Sequence, residues 1–216
     1  MLISRRRTLT LLSASALAAC AAEVDPDEAA AAAPTTPSET EGPFFPENTN
    51  VERDADLTRL AGRSERAAGH VIEMRGRVLG PDGRPVSGAR VQLWQANAGG
   101  RYAHSLDAGN PAPLDPNFQG YGLVETDASG GFSFTTIKPG GYMVAEEGPR
   151  TPHMHWRIDA GGRRLTTQSY FPDEAANDSD FLIRAMRVDP GLLIAAAGAP
   201  GAEGALGYDW TVTLPA

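Results

Sequence analysis

The sequence predicts an all-β protein, an antiparallel β-sandwich carrying long functional loops. Three observations point there. Short apolar segments alternate with polar residues at period two, which turns one face of a strand toward a core. Turn-forming clusters separate these segments, in a chain with 24 glycines and 17 prolines among 216 residues. Only Leu192 to Ala197 has the look of a short helix, ended by Gly198 and Pro200.

Val71 to Leu79 is the first expected strand, with Ile72, Met74 and Val78 on one face and Glu73, Arg75 and Arg77 on the other. Gly80-Pro81-Asp82-Gly83-Arg84-Pro85 closes it, since proline presets φ and glycine supplies a positive φ. Ala89 to Gln95 alternates again through Val91 and Leu93. Tyr121 to Thr126 and Phe132 to Ile137 flank Asp127-Ala128-Ser129-Gly130-Gly131 and read as a hairpin. Phe181 to Val188 and Tyr208 to Leu214 supply later strands; in the last, Tyr208, Trp210, Val212 and Leu214 share a face. No internal repeat is visible.

The N-terminal stretch is not expected to join this fold. Arg5, Arg6 and Arg7 precede an apolar run from Leu9 to Ala19, shorter than the ~20 residues of a membrane span. That layout predicts an export signal over residues 1–19. Ser4-Arg5-Arg6-Arg7-Thr8-Leu9 resembles a twin-arginine signal, and Leu17-Ala18-Ala19-Cys20 a bacterial lipobox. Lipidation of Cys20 would make the protein an exported lipoprotein of the periplasm or cell envelope. Residues 20–41, rich in alanine, proline and acids, are expected to be a disordered linker, leaving 42–216 as one domain. Cys20 is the only cysteine, so the domain has neither a disulfide nor a thiolate ligand. Removing residues 1–19 deletes three arginines and no acid, which takes the net charge from −8 to −11. Such acidity argues against nucleic acid and against anionic membrane surfaces as partners.

The densest chemistry lies in Gly140 to Ile158, where Tyr142, Arg150, His153 and His155 fall together. On a strand, positions i and i+2 share a face at roughly 6.6 Å spacing. His153 and His155 can therefore close on one metal ion, with Met154, Trp156 and Ile158 turned the other way. Imidazole alone is compatible with zinc, copper, iron and nickel. The remaining ligands must be oxygens. Tyr142 follows Pro139-Gly140-Gly141 and Tyr102 follows Gly99-Gly100-Arg101, both at glycine-flanked loop ends. A phenol has a pKa of about 10, so two phenolates at neutral pH call for a strongly Lewis-acidic ion, for which ferric iron is the natural choice. A ferrous or zinc site using His153, His155 and Asp159 is the alternative. It needs a third histidine on a later strand, and no histidine follows His155.

The chain resembles the intradiol ring-cleavage dioxygenases, with the protocatechuate-cleaving β-chain branch nearest. The resemblance runs from Glu41-Gly42-Pro43-Phe44-Phe45 through Val86 to Asn97, Gly100-Arg101-Tyr102 and Pro113 to Phe118. It continues through Thr136 to Gly140 and Pro152 to Trp156, ending near Thr167-Gln168-Ser169-Tyr170-Phe171. It implies a prealbumin-like sandwich in which Tyr102, Tyr142, His153 and His155 hold one non-haem ferric ion, Fe(III). It further implies that Tyr142 takes a catechol proton, that Arg150 stabilises a carbanion-like ring, and that Gln168 lies beside the bound substrate. The implied reaction inserts both atoms of O2 into a catechol between its hydroxylated carbons, giving a cis,cis-muconate. Val144 stands where the β-chain branch carries a tryptophan, the loop from Tyr142 to His153 is two residues shorter, and that from Tyr102 to Phe118 one longer. The expected partners are a catechol and O2, with the chain either forming a homo-oligomer or staying monomeric. A rival reading is a lipid-anchored module that binds catechols or iron chelates without cleaving them.

Overall fold

The computed structural model describes residues 34–48 and 52–216. The expected export signal, Cys20 and linker residues 20–33 lie outside them. Ten strands dominate: β1 Val71–Leu79, β2 Arg90–Trp94, β3 Tyr121–Glu125, β4 Gly131–Ile137, β5 Tyr142–Val144, β6 Gly148–Arg150, β7 His153–Ala160, β8 Arg163–Tyr170, β9 Ala196–Gly198 and β10 Leu206–Thr213. They form two four-stranded sheets, ordered β4-β1-β10-β9 and β3-β2-β7-β8, and a small ribbon of β5 and β6. The all-β sandwich is therefore present. One pair departs from the antiparallel pattern, because β1 and β10 run parallel in the register Ile72 to Leu206. Parallel neighbours require a long crossover, and here the whole intervening domain serves as one.

The period-two patterns decide which face is inside. Ile72, Met74 and Val78 of β1, Val91 and Leu93 of β2, and Tyr208, Trp210 and Val212 of β10 enter one buried cluster. Trp156 of β7 crosses the gap between sheets, with ring centroids 5.5 Å from Trp210 and 5.9 Å from Phe134. Its indole N–H donates to the Ser169 hydroxyl at 2.8 Å, so this buried donor is satisfied. Because Met154, Trp156 and Ile158 face the core, His153 and His155 must face outward from the β3-β2-β7-β8 sheet. That outer face is where the long loops gather.

Four expectations need correction. Tyr121 to Thr126 and Phe132 to Ile137 do not pair as a hairpin, because β3 and β4 belong to different sheets. The Asp127 turn is real: Asp127 N–H donates to the Gly131 carbonyl at 2.9 Å. It links the two sheets, and local turn chemistry is the same whether the flanking strands pair or part. Phe181 to Val188 is not a strand but begins with a short helix, α1 Phe181–Ala185. Asp180 caps it, its carboxylate accepting from the backbone N–H of Leu182 and Ile183, and this cap outweighs a weak alternation. Leu192 to Ala197 is not a helix. A 3-10 turn covers Pro190–Leu193, and Ala196–Gly198 is drawn out by pairing with Gly207–Asp209, a tertiary override of alanine's helix propensity.

The fourth correction concerns the linker. Residues 36–41 lie along the domain as a strap. Thr36 is buried and exchanges hydrogen bonds with Thr213, its N–H donating at 3.0 Å and its hydroxyl accepting at 2.9 Å. Glu39 N–H donates to the Thr166 carbonyl at 3.0 Å, so the strap covers the free edge of β8. Among the described residues no helix is long and apolar enough to cross a membrane.

Candidate metal centre and its cleft

Four donor atoms converge on the outer face of β7. His155 Nε2 lies 3.1 Å from the Tyr102 hydroxyl oxygen. His153 Nε2 lies 3.5 Å from the Tyr102 oxygen and 3.4 Å from the Tyr142 oxygen. The two histidines are buried at 2 % exposure each. His153 Nδ1 sits 2.6 Å from the Thr151 carbonyl. A carbonyl only accepts, so Nδ1 carries the proton and Nε2 keeps its lone pair for the cluster. His155 is held flat against Trp94, its cross-strand partner on β2, with centroids 5.1 Å apart and planes at 14°.

The tyrosines arrive from loops that touch through glycine. Gly100 has φ +78°, and a Cβ there would run into the Gly141 carbonyl; one on Gly140 would sit 2.5 Å from the Ala98 carbonyl. Only glycine lets the two loops approach so closely. Buried Asn97 ties them together. Its carbonyl accepts from Gly100 N–H and Gly140 N–H at 2.9 Å each, and its side-chain oxygen accepts from Gly99 N–H and Arg101 N–H. Tyr102 is then fixed by its own N–H donating to Asp107 at 2.7 Å and by Phe44 stacked on its ring at 4.5 Å.

Burial governs the protonation of this cluster. It lowers the His153 imidazolium to about 3, assisted by the positive charge of Arg150, and pushes His155 well below its ordinary value, with His153 and Arg150 adding to the effect. Burial raises the Tyr102 hydroxyl well above its usual range, with Tyr142 next in effect, and it raises Tyr142 as well. The histidines are thus neutral, the form that ligates metals. Among the described residues no group of three or more His, Cys, Asp and Glu gathers. Any metal ion on this face must therefore draw on the tyrosines, and two imidazole nitrogens with two phenol oxygens suit a hard, strongly Lewis-acidic cation. The donor set fits ferric iron. Asp159, the alternative third ligand, is taken up instead by Arg164 at 2.5 Å and Gln92 at 3.3 Å.

Arg150 stands beside the cluster because the β5–β6 ribbon pairs it directly with Tyr142. It is buried, and its guanidinium is tied down on two sides. Nε donates to Asp180 at 2.8 Å, and a terminal nitrogen donates to Gln168 Oε1 at 2.6 Å. Asp180, fully buried, also accepts from Thr151 N–H at 2.9 Å. Gln168 is the β8 partner of His155 and donates to the Thr40 carbonyl of the strap at 3.1 Å. The same arginine nitrogen lies 3.4 Å from the Tyr170 hydroxyl, which donates to Glu39 at 2.8 Å. The structure thus gathers Tyr102, Tyr142, Arg150, His153, His155 and Gln168 and leaves Asp159 apart. The sequence reading gave no role to Asp180, Glu39, Tyr170 or Asn97. Only Asp180 carried a local signal, an aspartate directly before a run of helix formers.

Glu39 has a consequence for stability. Burial raises its carboxyl from 4.5 to about 7, against the smaller lowering effects of Tyr170 and Arg150. Between those values the folded chain holds a proton that the unfolded chain has released. The contribution to stability is therefore fully present below about 4.5 and lost as pH rises through about 7. Glu39→Gln cannot titrate, so it should gain stability relative to the parent across that window. Thermal unfolding of both proteins from pH 4 to pH 8 checks this; parallel curves would refute it.

A cleft of about 840 Å³ opens over the cluster, with Tyr142, Arg150 and His155 at its base and Phe44, Thr40 and Phe181 among its walls. Tyr102 lies outside its lining.

Comparison with known proteins identifies the family. Residues 40–215 match a protein-family model described as dioxygenase. The β chain of protocatechuate 3,4-dioxygenase from Burkholderia cepacia is 46 % identical over 125 residues, 56 % of this chain and 53 % of that protein. Catechol 1,2-dioxygenase 1 of Acinetobacter lwoffii is 31 % identical over 147 residues, 62 % of this chain and 45 % of that one. The chain spans about half the length of these curated relatives. Among solved structures, the dioxygenase domain of a dioxygenase carbohydrate-binding protein fusion from Streptomyces sp. SirexAA-E superposes with TM-score 0.61 at 28 % identity, covering 84 % of this chain and 98 % of that one. With a family match that spans the whole domain, the chain belongs to the intradiol ring-cleavage dioxygenases.

Proposed function

We propose that the protein is a non-haem ferric iron enzyme that cleaves a catechol between its two hydroxylated carbons with O2, yielding a cis,cis-muconate-type product. The observation that carries this is the convergence of two neutral imidazoles and two phenols, of which His155 and Tyr142 line a cleft that also holds a buried guanidinium. Tyr102, Tyr142, His153 and His155 would hold the iron. Ferric iron, when bound, acidifies the tyrosine hydroxyls and draws electron density from a chelated catechol.

The chain's own residues divide the remaining work. Tyr142 lines the cleft and Tyr102 does not. Tyr142 is therefore the phenol oxygen within reach of an incoming catechol, and it accepts one of the two hydroxyl protons the substrate must lose. Arg150 presents fixed positive charge beside the ring as negative charge grows on carbon, an electrostatic aid that needs no reorganisation at the moment of reaction. Asp180 holds that guanidinium through Nε, which leaves one terminal nitrogen turned to both Gln168 and Tyr170. Phe44 walls one side and limits water. The names of the relatives, a protocatechuate and a catechol dioxygenase, support the substrate class. Export under residues 1–19, a lipid anchor at Cys20 and self-association belong to the same proposal and rest on the sequence.

Protein loaded with iron should be red-brown from tyrosinate-to-iron charge transfer, catechol should shift that absorbance, and oxygen uptake should follow. A colourless, iron-free protein after expression with added iron would sink the proposal. A shift of colour without oxygen uptake would favour a binding module instead.

A further inference from the structure

Resting on that reading, we infer that the cleft selects a catechol bearing a bulky uncharged apolar substituent and disfavours one bearing a ring carboxylate. Size is the first observation. A pocket of about 840 Å³ lies near the top of the ~300–1,000 Å³ range that encloses drug-sized ligands. A lone dihydroxybenzene ring would leave most of it filled with water.

The chemistry of the walls is the second. Phe44, Leu106, Met143, Val144, Phe181 and Leu182 contribute apolar surface. Leu106 and Met143 are 69 % and 71 % exposed, and they belong to the five large hydrophobic residues that stand exposed among the described residues. Apolar surface gathered at the mouth of a cleft is surface a ligand can cover. Val144, on the same ribbon as Tyr142, leaves open the space a larger side chain would fill.

Charge is the third. Arg150 is the single cation among the described lining residues, and its guanidinium is already committed to Asp180 and Gln168. The other charged lining residues are Asp107 and Glu147, both carboxylates. A carboxylate on the substrate ring would find no free cation and two like charges in a partly desolvated cleft, where such repulsion is poorly screened. An alkyl or aryl group meets no such penalty.

The test is anaerobic binding to the iron-loaded full-length chain by titration calorimetry, followed by oxygen uptake on the same panel. The panel holds catechol, 4-phenylcatechol, 4-tert-butylcatechol and 3,4-dihydroxybenzoate. The two apolar catechols should bind at least ~10-fold more tightly than catechol, the gain expected from filling an apolar pocket, and 3,4-dihydroxybenzoate should bind more weakly than catechol. Met143→Arg, a change at an exposed side chain, should raise the affinity for 3,4-dihydroxybenzoate relative to 4-phenylcatechol. Equal or tighter binding of 3,4-dihydroxybenzoate by the parent protein, or an unchanged ratio in the variant, overturns the inference. Absence of oxygen uptake with every catechol would overturn the proposed activity instead, and the binding order would still judge the cleft.

Discussion

His155→Ala should yield a folded protein that neither retains iron nor consumes oxygen with any catechol. Two buried imidazoles and two phenols make up the shell offered on this face, and among the described residues no His, Cys, Asp or Glu cluster stands ready to replace one. Weakening an outer hydrogen bond to a metal ligand costs about 10–100-fold in affinity, so deleting a ligand should exceed that. His155 also lies flat on Trp94, and its loss leaves a gap against the indole. The fold itself should persist, because the core of Met154, Trp156 and Ile158 lies on the opposite face of β7. Iron per chain, visible absorbance and oxygen uptake, with circular dichroism as control, decide the matter. Iron retained at the parent level with turnover intact would remove His155 from the site.

Arg150→Ala should be costly twice, and the two costs can be separated. Removing the guanidinium strands Asp180, which is fully buried, and breaking one side of a buried ion pair costs about 3–5 kcal/mol of stability. Loss of fixed charge beside the reacting ring should also lower turnover by roughly 10²–10³-fold, the scale for one electrostatic stabiliser. The double change Arg150→Met with Asp180→Asn keeps the side-chain oxygen that caps α1 and removes the stranded charge. It should recover part of the stability, because the new amide nitrogen faces the Thr151 N–H that the carboxylate had accepted, and none of the turnover. Arg150→Lys should fare little better than alanine in turnover, since a point charge cannot engage Asp180 and Gln168 together. Chemical denaturation and initial rates measure the two effects. Recovery of turnover in the double variant would show that Arg150 serves only to neutralise Asp180.

What could be read from the chain followed the range of the interaction. The outward placement of His153 and His155 was legible because strand alternation is local: Met154, Trp156 and Ile158 reveal the core side within six residues. The glycines before Tyr102 and Tyr142 were legible as loops, but their contact was not. Gly100 and Gly140 lie in separate loops, and only the assembled sandwich brings one backbone against the other. The supposed hairpin at Asp127 failed for a related reason. Its turn is encoded locally, whereas the sheet each flanking strand joins is set by partners elsewhere, β2 for one and β1 for the other.

The sequence by itself determined the all-β class, the core face of β1, β2, β7 and β10, and the six side chains gathered around the metal centre. These rest on periodicity and residue chemistry within short windows, together with an ordered set of motifs. Tertiary structure alone decided how Arg150 is held, since Asp180 and Gln168 reach it from 30 and 18 positions away. It also decided that the strap belongs to the domain, through Glu39 and Tyr170, 131 positions apart. A buried charge needs whatever counter-group the fold places within 3 Å, and nothing in the neighbouring sequence names that group.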